Sequence, residues 1–285
     1  MSATVLPVVL PASRRKKRQA IPFGLWAGLL ILLSFVVCAI LPSIVPSLDP
    51  LAADYDALLA GPSWAHPFGT DDFGRDMLAR TMSASGIDLS IAVFCTLVPI
   101  ISGAVIGALV GYYGGWADAV FGRVVDAVLT FPFLVLVIAI VAVLGPGLFN
   151  LYIAVSAVGW VFYARMMRAE VAVLKRSDFA AAGRVMGFSA ARIIFRHLLP
   201  NALTPLVVYW MTDMALCILL GSSLGYLGLG AQPPTAEWGV LVAEGKNYMD
   251  TAWWIAVFPG LAIILCGTGF SLLGDGVAEL MSVRR

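Results

Sequence analysis

Charge is scarce in this sequence. Only 12% of its 285 residues are Asp, Glu, Lys or Arg, and 60% are hydrophobic. Soluble globular chains carry about 25% charged residues, and one this poor in charge would leave too much apolar surface in water. A bilayer removes that difficulty. The net charge of +1 excludes the basic excess of a nucleic-acid-binding protein. Cysteine and histidine are scarce as well. Cys38, Cys95, Cys217 and Cys266 lie in apolar stretches, with no C-x-x-C spacing and no histidine beside them. They read as small buried hydrophobes, not as a disulfide framework or a metal site. His66 and His197 are the only histidines, and no HExxH occurs, which excludes a zinc-protease motif. No GxxxxGK[ST] loop occurs either, so the chain carries no visible means of hydrolysing ATP. No catalytic residue and no metal ligand is expected.

Long charge-free runs are abundant. A membrane helix needs about 20 mainly apolar residues. Runs of that kind fall at 23–41, between Asp88 and Asp118, between Asp126 and Arg165, at 203–226 and at 253–273. The third run is too long for one crossing and is broken by Gly145-Pro146-Gly147, so it reads as helices at 120–144 and 148–164. Six spans result. The chain then divides into a basic tail at 1–21, a first span at 22–41 and an outer loop at 42–87. A five-helix core follows at 88–277, with surface helices at 178–197, and a tail at 278–285. Positive charge marks the cytoplasmic side. Of the 18 Lys and Arg residues, only Arg75, Arg80 and Lys246 fall in segments on the other side, so both termini are expected inside. A secretory signal peptide is the rival reading of the N-terminus. The long apolar stretch and Ile40-Leu41-Pro42, which is no small-residue cleavage site, favour an uncleaved first helix.

Three features go beyond topology. Gly103, Gly107 and Gly111 are spaced four apart, on one helix face, where backbones can approach closely, either within the chain or against a partner. Asp213 is the one acid well inside a span, and it either lines a pathway or makes a helix-packing hydrogen bond. The outer segments carry Asp71, Asp72, Arg75 and Asp76, then Glu237 and Trp238. All six are candidates for an external gate or a partner contact, and for the first four an internally satisfied capping and turn cluster is the alternative. Residues 230–252 are expected to form a second external hairpin. Trp253 and Trp254 stand where an interfacial aromatic belt is expected.

The loop at 175–201 is the most specific segment. Ser177 or Asp178 can cap a short helix over 179–186, and Gly187 can end it. Ser189 can cap a second helix to Leu199, with Pro200 and Asn201 as punctuation before the next span. The small residues Ala180, Ala181, Ala182 and Gly183 would let another protein close around the first helix. A plain amphipathic surface helix is the simpler alternative. The spacing Ala181-Ala182-Gly183, three residues, Gly187, nine residues, His197-Leu198-Leu199-Pro200 resembles the coupling motif of binding-protein-dependent ABC importer permeases. Members commonly have Glu, Ala and Ile where Ala181, Gly183 and His197 stand. The segments His66–Asp76 and Gly225–Gly239, with Phe258-Pro259-Gly260 and Leu273-Gly274-Asp275-Gly276, resemble the C-type subunit of the dipeptide and oligopeptide permease branch.

The resemblance implies an all-α integral membrane protein: six transmembrane helices with cytoplasmic coupling helices, the type I ABC importer permease fold. It implies a second permease subunit, two ATPase subunits that bind ATP and Mg, and an external solute-binding protein, in a bacterial cytoplasmic membrane. It implies no cofactor in this chain and no covalent chemistry. Asp178, Ala181, Ala182, Gly183, Gly187, His197, Leu199 and Pro200 would meet the ATPase. Branch members carry peptides, glutathione or nickel, and peptide is the expected cargo. An ion-gradient-driven carrier is the alternative from another class. It would work without an ATPase, and the near-absence of charge inside the spans speaks against it.

Overall fold

The computed structural model describes residues 22–282. The basic cluster at 14–18 and the terminal Arg284 and Arg285 lie outside the described residues. Among the described residues the regular elements are helical. Two isolated bridges, Ala53 with Arg75 and Thr70 with Asp76, tie the segment before the second long helix.

Helix α1 (Phe23–Ile44) has 22 residues of nearly unbroken apolar side chains. At about 1.5 Å per residue it is long enough for a hydrocarbon core of about 30 Å. Gly28 is its one buried residue, while Leu30, Leu33 and Ile40 face outward, as lipid-exposed side chains do. It packs mainly against α10 (Trp254–Ser282) and also against the helix at Met77–Tyr113. A Cβ on Gly28 would lie 2.7 Å from the Gly269 carbonyl oxygen, and one on Gly276 would lie 2.7 Å from the Leu25 Cβ. The pairing order makes the two helices antiparallel.

Helix α2 (Met77–Tyr113) starts at Asp76, whose carboxylate accepts from the Ala79 amide at 2.9 Å, and stops at Gly114, φ +65°. It packs along α5 (Leu148–Leu174) through the glycine seam. Cβ atoms on Gly103, Gly107 and Gly111 would lie 2.6, 2.3 and 2.7 Å from the carbonyl oxygens of Trp160, Ala164 and Arg168. The numbers rise together, so the helices are parallel, and the seam is an internal contact of this chain. Helix α8 (Leu199–Tyr226) lies against both α2 and α10, with Trp210 Nε1 donating to Thr96 Oγ1 at 2.7 Å.

Several boundaries differ from the sequence expectation. Helix α2 begins at Met77, well before 88, because Asp76 caps it and Met77, Ala79 and Ala84 are buried in the bundle. The expected span at 120–144 is two helices, α3 (Gly115–Leu129) and α4 (Phe133–Leu144), bent by 84°. Pro132 lacks an N–H and restricts the backbone of Phe131, which breaks the ladder there. Five helices are long and apolar enough to cross a membrane, and the bent pair makes six if it counts as one crossing. Pro200 does not interrupt the chain. Helix α6 (Asp178–Val185) ends in a turn at 186–189, and α7 (Ala190–Arg192) then runs through a π-turn at Ile193–Leu198 into α8 without a break. The widened turn stands just ahead of Pro200, which cannot donate to an α-helical ladder. Residues 230–252 are not a hairpin standing outside the bundle. Helix α9 (Trp238–Gly245) folds back onto α8 and α10, and a Cβ on Gly239 would lie 2.0 Å from the Ser222 carbonyl oxygen. Trp254 is buried, its Nε1 donating to the Thr70 carbonyl at 3.0 Å, so of the expected belt pair only Trp253 is exposed.

Candidate functional site

At one end of the bundle the 175–201 loop is fastened at its base. Lys175 Nζ donates to the carbonyls of Gly111 and Tyr112 at 2.8 and 3.1 Å, a cation at the C-terminus of α2. Arg184 reaches back to the Lys175 carbonyl at 3.0 Å. Ser177 holds the N-cap position of α6, but its Oγ donates to the Leu174 carbonyl at 2.6 Å and does not cap. Asp178 lies in the first turn, where a negative charge suits the helix dipole. Gly187 has φ +74° and open space around its Cβ position, so glycine serves the backbone here, not close packing. Ser189 caps the next turn, accepting from the Arg192 amide at 3.4 Å.

Phe188 was not singled out in the sequence, yet it locks the turn. Its ring stacks on His197 at 5.7 Å and takes the Arg192 guanidinium at 5.0 Å. Gly183 is buried beneath Phe188 and Ile193, while Ala181, His197 and Leu199 are half-buried. Asp178, Ala182, Gly187 and Pro200 are exposed, as are Val185 and Met186. The exposed side of α6 therefore carries Phe179, Ala182 and Val185 between the charges of Asp178 and Arg184, while the small residues Ala180 and Gly183 pack inward.

The opposite end holds a charge lock. Asp71 accepts from Arg75 Nε at 2.7 Å and from Arg80 Nη1 at 2.6 Å, and Arg80 Nη1 also donates to Glu244 at 2.7 Å. The second Asp71 oxygen accepts from the amides of Phe73 and Arg75, both at 2.9 Å. Asp76 pairs with His66 Nδ1 at 2.9 Å, and Asp72 accepts from the Tyr248 hydroxyl at 3.5 Å. These pairs are all internal to this chain.

Glu237 and Trp238 have 0% exposure, which corrects the expectation that they meet an outside partner. The apolar run at 238–243 draws α9 inward. Glu237 caps α9, accepting from Gly239 and Val240 at 2.9 and 3.0 Å. Burial pushes its carboxyl above the usual glutamate range, and those two amides pull it back. The Trp238 amide donates to Asp88 at 3.1 Å, and its indole donates to the Thr81 carbonyl at 3.0 Å.

Between the two ends, Asp213 is half-buried on α8 and accepts from the Tyr163 hydroxyl of α5 at 2.6 Å. It lines a cavity of about 430 Å³ bounded by α4, α5 and α8.

The pattern of the binding-protein-dependent transport system inner membrane component matches residues 103–284, most of the chain, the α6 turn and Pro200 included. The chain belongs to this family. The permease is 38% identical over 254 residues to the dipeptide transport system permease protein of Alkalihalophilus pseudofirmus, covering 89% of this chain and 84% of that one. It is 41% identical over 233 residues to the probable D,D-dipeptide transport system permease protein of Escherichia coli K12, covering 82% and 78%. It is 38% identical over 268 residues to the glutathione transport system permease protein of Pectobacterium atrosepticum, covering 94% and 88%. Its fold is similar to a chain of the MetNI methionine ABC transporter in an inward-facing conformation. The TM-score is 0.58 at 18% identity, covering 72% of the permease and 97% of that chain.

Arg80, Glu244, Tyr163 and Phe188 escaped the sequence reading of this permease. Arg80 and Glu244 had a weak signal: each is a charge within an apolar or small-residue run, which calls for a partner. The aromatics Tyr163 and Phe188 had none, because in a chain this apolar they do not stand out.

Proposed function

We propose that this permease is one membrane subunit of an ATP-driven importer for di- and oligopeptides. It pairs with a second permease subunit. Two ATPase subunits supply ATP and Mg chemistry from the cytoplasm, and an external solute-binding protein delivers the cargo. This chain holds no cofactor. Both termini and the α6 loop face the cytoplasm of a bacterium, and residues 42–76 face out. The observation that carries the reading is α6. It is a short helix whose exposed side presents Phe179, Ala182 and Val185, tied at its base to α2 through Lys175 and through the π-turn to α8, so a push on it moves long helices. ATP-driven closure of the ATPases would act there and shift the bundle between inward- and outward-facing states. Peptide as cargo is supported by relatives whose names carry dipeptide and D,D-dipeptide. A glutathione importer is the second reading, supported by a relative of similar identity. Family membership leaves the ion-gradient carrier without support.

The test is co-purification from detergent, followed by ATP hydrolysis in vesicles with loaded binding protein. Wild type brings down an ATPase. Gly187→Arg and Ala182→Glu, on the exposed loop, lose it while eluting as folded protein. Retention of the ATPase by both variants would refute α6 as the coupling element.

A further inference from the structure

We propose that the cavity beside Asp213 receives the primary ammonium group of the translocating peptide. The inference rests on the peptide-importer reading and adds to it a subsite of defined chemistry. The cavity's volume of about 430 Å³ lies within the range of small-molecule sites, about 300–1,000 Å³. Its wall is mostly apolar, with Phe133, Leu134, Phe162, Leu216 and Leu219, and among the described residues Asp213 is the only charged side chain lining it. Tyr163 occupies one oxygen, Oδ2. Among the described residues no donor serves Oδ1. A half-buried carboxylate with one free acceptor in an apolar wall attracts a cationic hydrogen-bond donor and repels an anion, because the apolar wall reduces screening on that side. Every free peptide carries such a donor at its N-terminus. The apolar wall accepts varied side chains without demanding hydrogen bonds of its own. A single charged contact also lets the cargo leave. A metal ion fits less well. Cys95 and Cys217 also line the cavity, but among the described residues no three His, Cys, Asp or Glu side chains come together as a metal site.

The test uses the complete importer in proteoliposomes, with binding protein saturated by a labelled dipeptide. Asp213→Asn should cut uptake about tenfold or more, the size of one lost charged hydrogen bond, and Asp213→Glu should restore most of it. A second readout is local charge. In a background with the four native cysteines replaced, Leu216→Cys should react about tenfold faster with a cationic than with an anionic methanethiosulfonate, and adding Asp213→Asn should erase the ratio. Should Asp213→Asn fail to assemble, millimolar dipeptide should protect Leu216→Cys from the cationic reagent, and its N-acetyl analogue should not. Unchanged uptake in Asp213→Asn, a ratio that ignores Asp213, or equal protection by both peptides each overturns the subsite and leaves the importer reading intact. If the wild-type complex takes up no peptide, the cargo reading falls and the subsite falls with it.

Discussion

Arg80 has no exposed surface, and its guanidinium joins Asp71 to Glu244 across the end of the bundle opposite the α6 loop. Breaking a buried ion pair strands the remaining charge and costs about 3–5 kcal/mol. Arg80→Met should therefore lower the thermal midpoint in detergent markedly, and adding Glu244→Gln should recover part of the loss. An unchanged midpoint would mean that Asp71 is satisfied by Arg75 and the backbone alone. The glycines divide by mechanism in the same way. A Cβ on Gly107 would lie 2.3 Å from the Ala164 carbonyl oxygen, so Gly107→Ala forces α2 and α5 apart and should cost about 1–3 kcal/mol. At Gly187 there is space but φ is +74°, so Gly187→Ala should cost about 1–2 kcal/mol from the loop alone. Thermal unfolding with limited proteolysis separates the two. Gly107→Ala loosens the whole bundle, and Gly187→Ala opens only the 175–201 loop. Asp213 and Gly187 were legible in sequence, since an acid in a span and a glycine between caps stand out locally. The Arg80–Glu244 pair was not, because its partners lie far apart in the chain.

Among the elements, α1, the start of α5 and the α6 turn follow from the sequence because each is governed by local rules: an apolar run of membrane length, a Gly-Pro-Gly break, a capped helix closed by glycine. Helix α5 itself runs on past the expected 164 to Leu174. The misread elements are those where tertiary contact overrides a local rule. The apolar run that marks a span cannot show that α2 continues outward to Met77, since Asp76 and buried neighbours carry it there. Pro132 did signal the break before α4, but a charge-free run hid it. Pro200 signalled a break that the π-turn absorbs. Helix α9 is short and flanked by polar residues, which suggested an external hairpin, yet Glu237 and Trp238 anchor it inside. Phe188 is the corresponding anchor of the α6 loop. Phe188→Ala removes the stack on His197 and the Arg192 contact while leaving the exposed face of α6 intact. The variant should still co-purify with the ATPase but couple poorly, with transport per ATP falling several-fold. Loss of co-purification would instead make Phe188 part of the docking surface itself.

At the scale of the molecule, the described helices fix a consistent set of directions. The N-terminal half of α1 meets the C-terminal half of α10, the ends of α2 and α5 that carry Gly111 and Arg168 meet, and the base of the α6 loop is tied to that same end. The segment with Asp71, the start of α2, α9 and the start of α10 gather at the other end. Such an arrangement requires only that one loop be assigned to a side of the membrane for every other loop to follow. The positive charge of the 165–196 region argues for the cytoplasm. Single cysteines test this in a background with the native four replaced. Trp64 is fully exposed in the segment after α1, and Val185 is largely exposed on α6. Trp64→Cys should react with a membrane-impermeant maleimide in intact spheroplasts, and Val185→Cys only after permeabilisation. The reverse pattern would invert the whole bundle at once, because no rearrangement of one loop could produce it. It would also put α6 on the side where no ATPase can reach it, and so remove the importer mechanism with the topology.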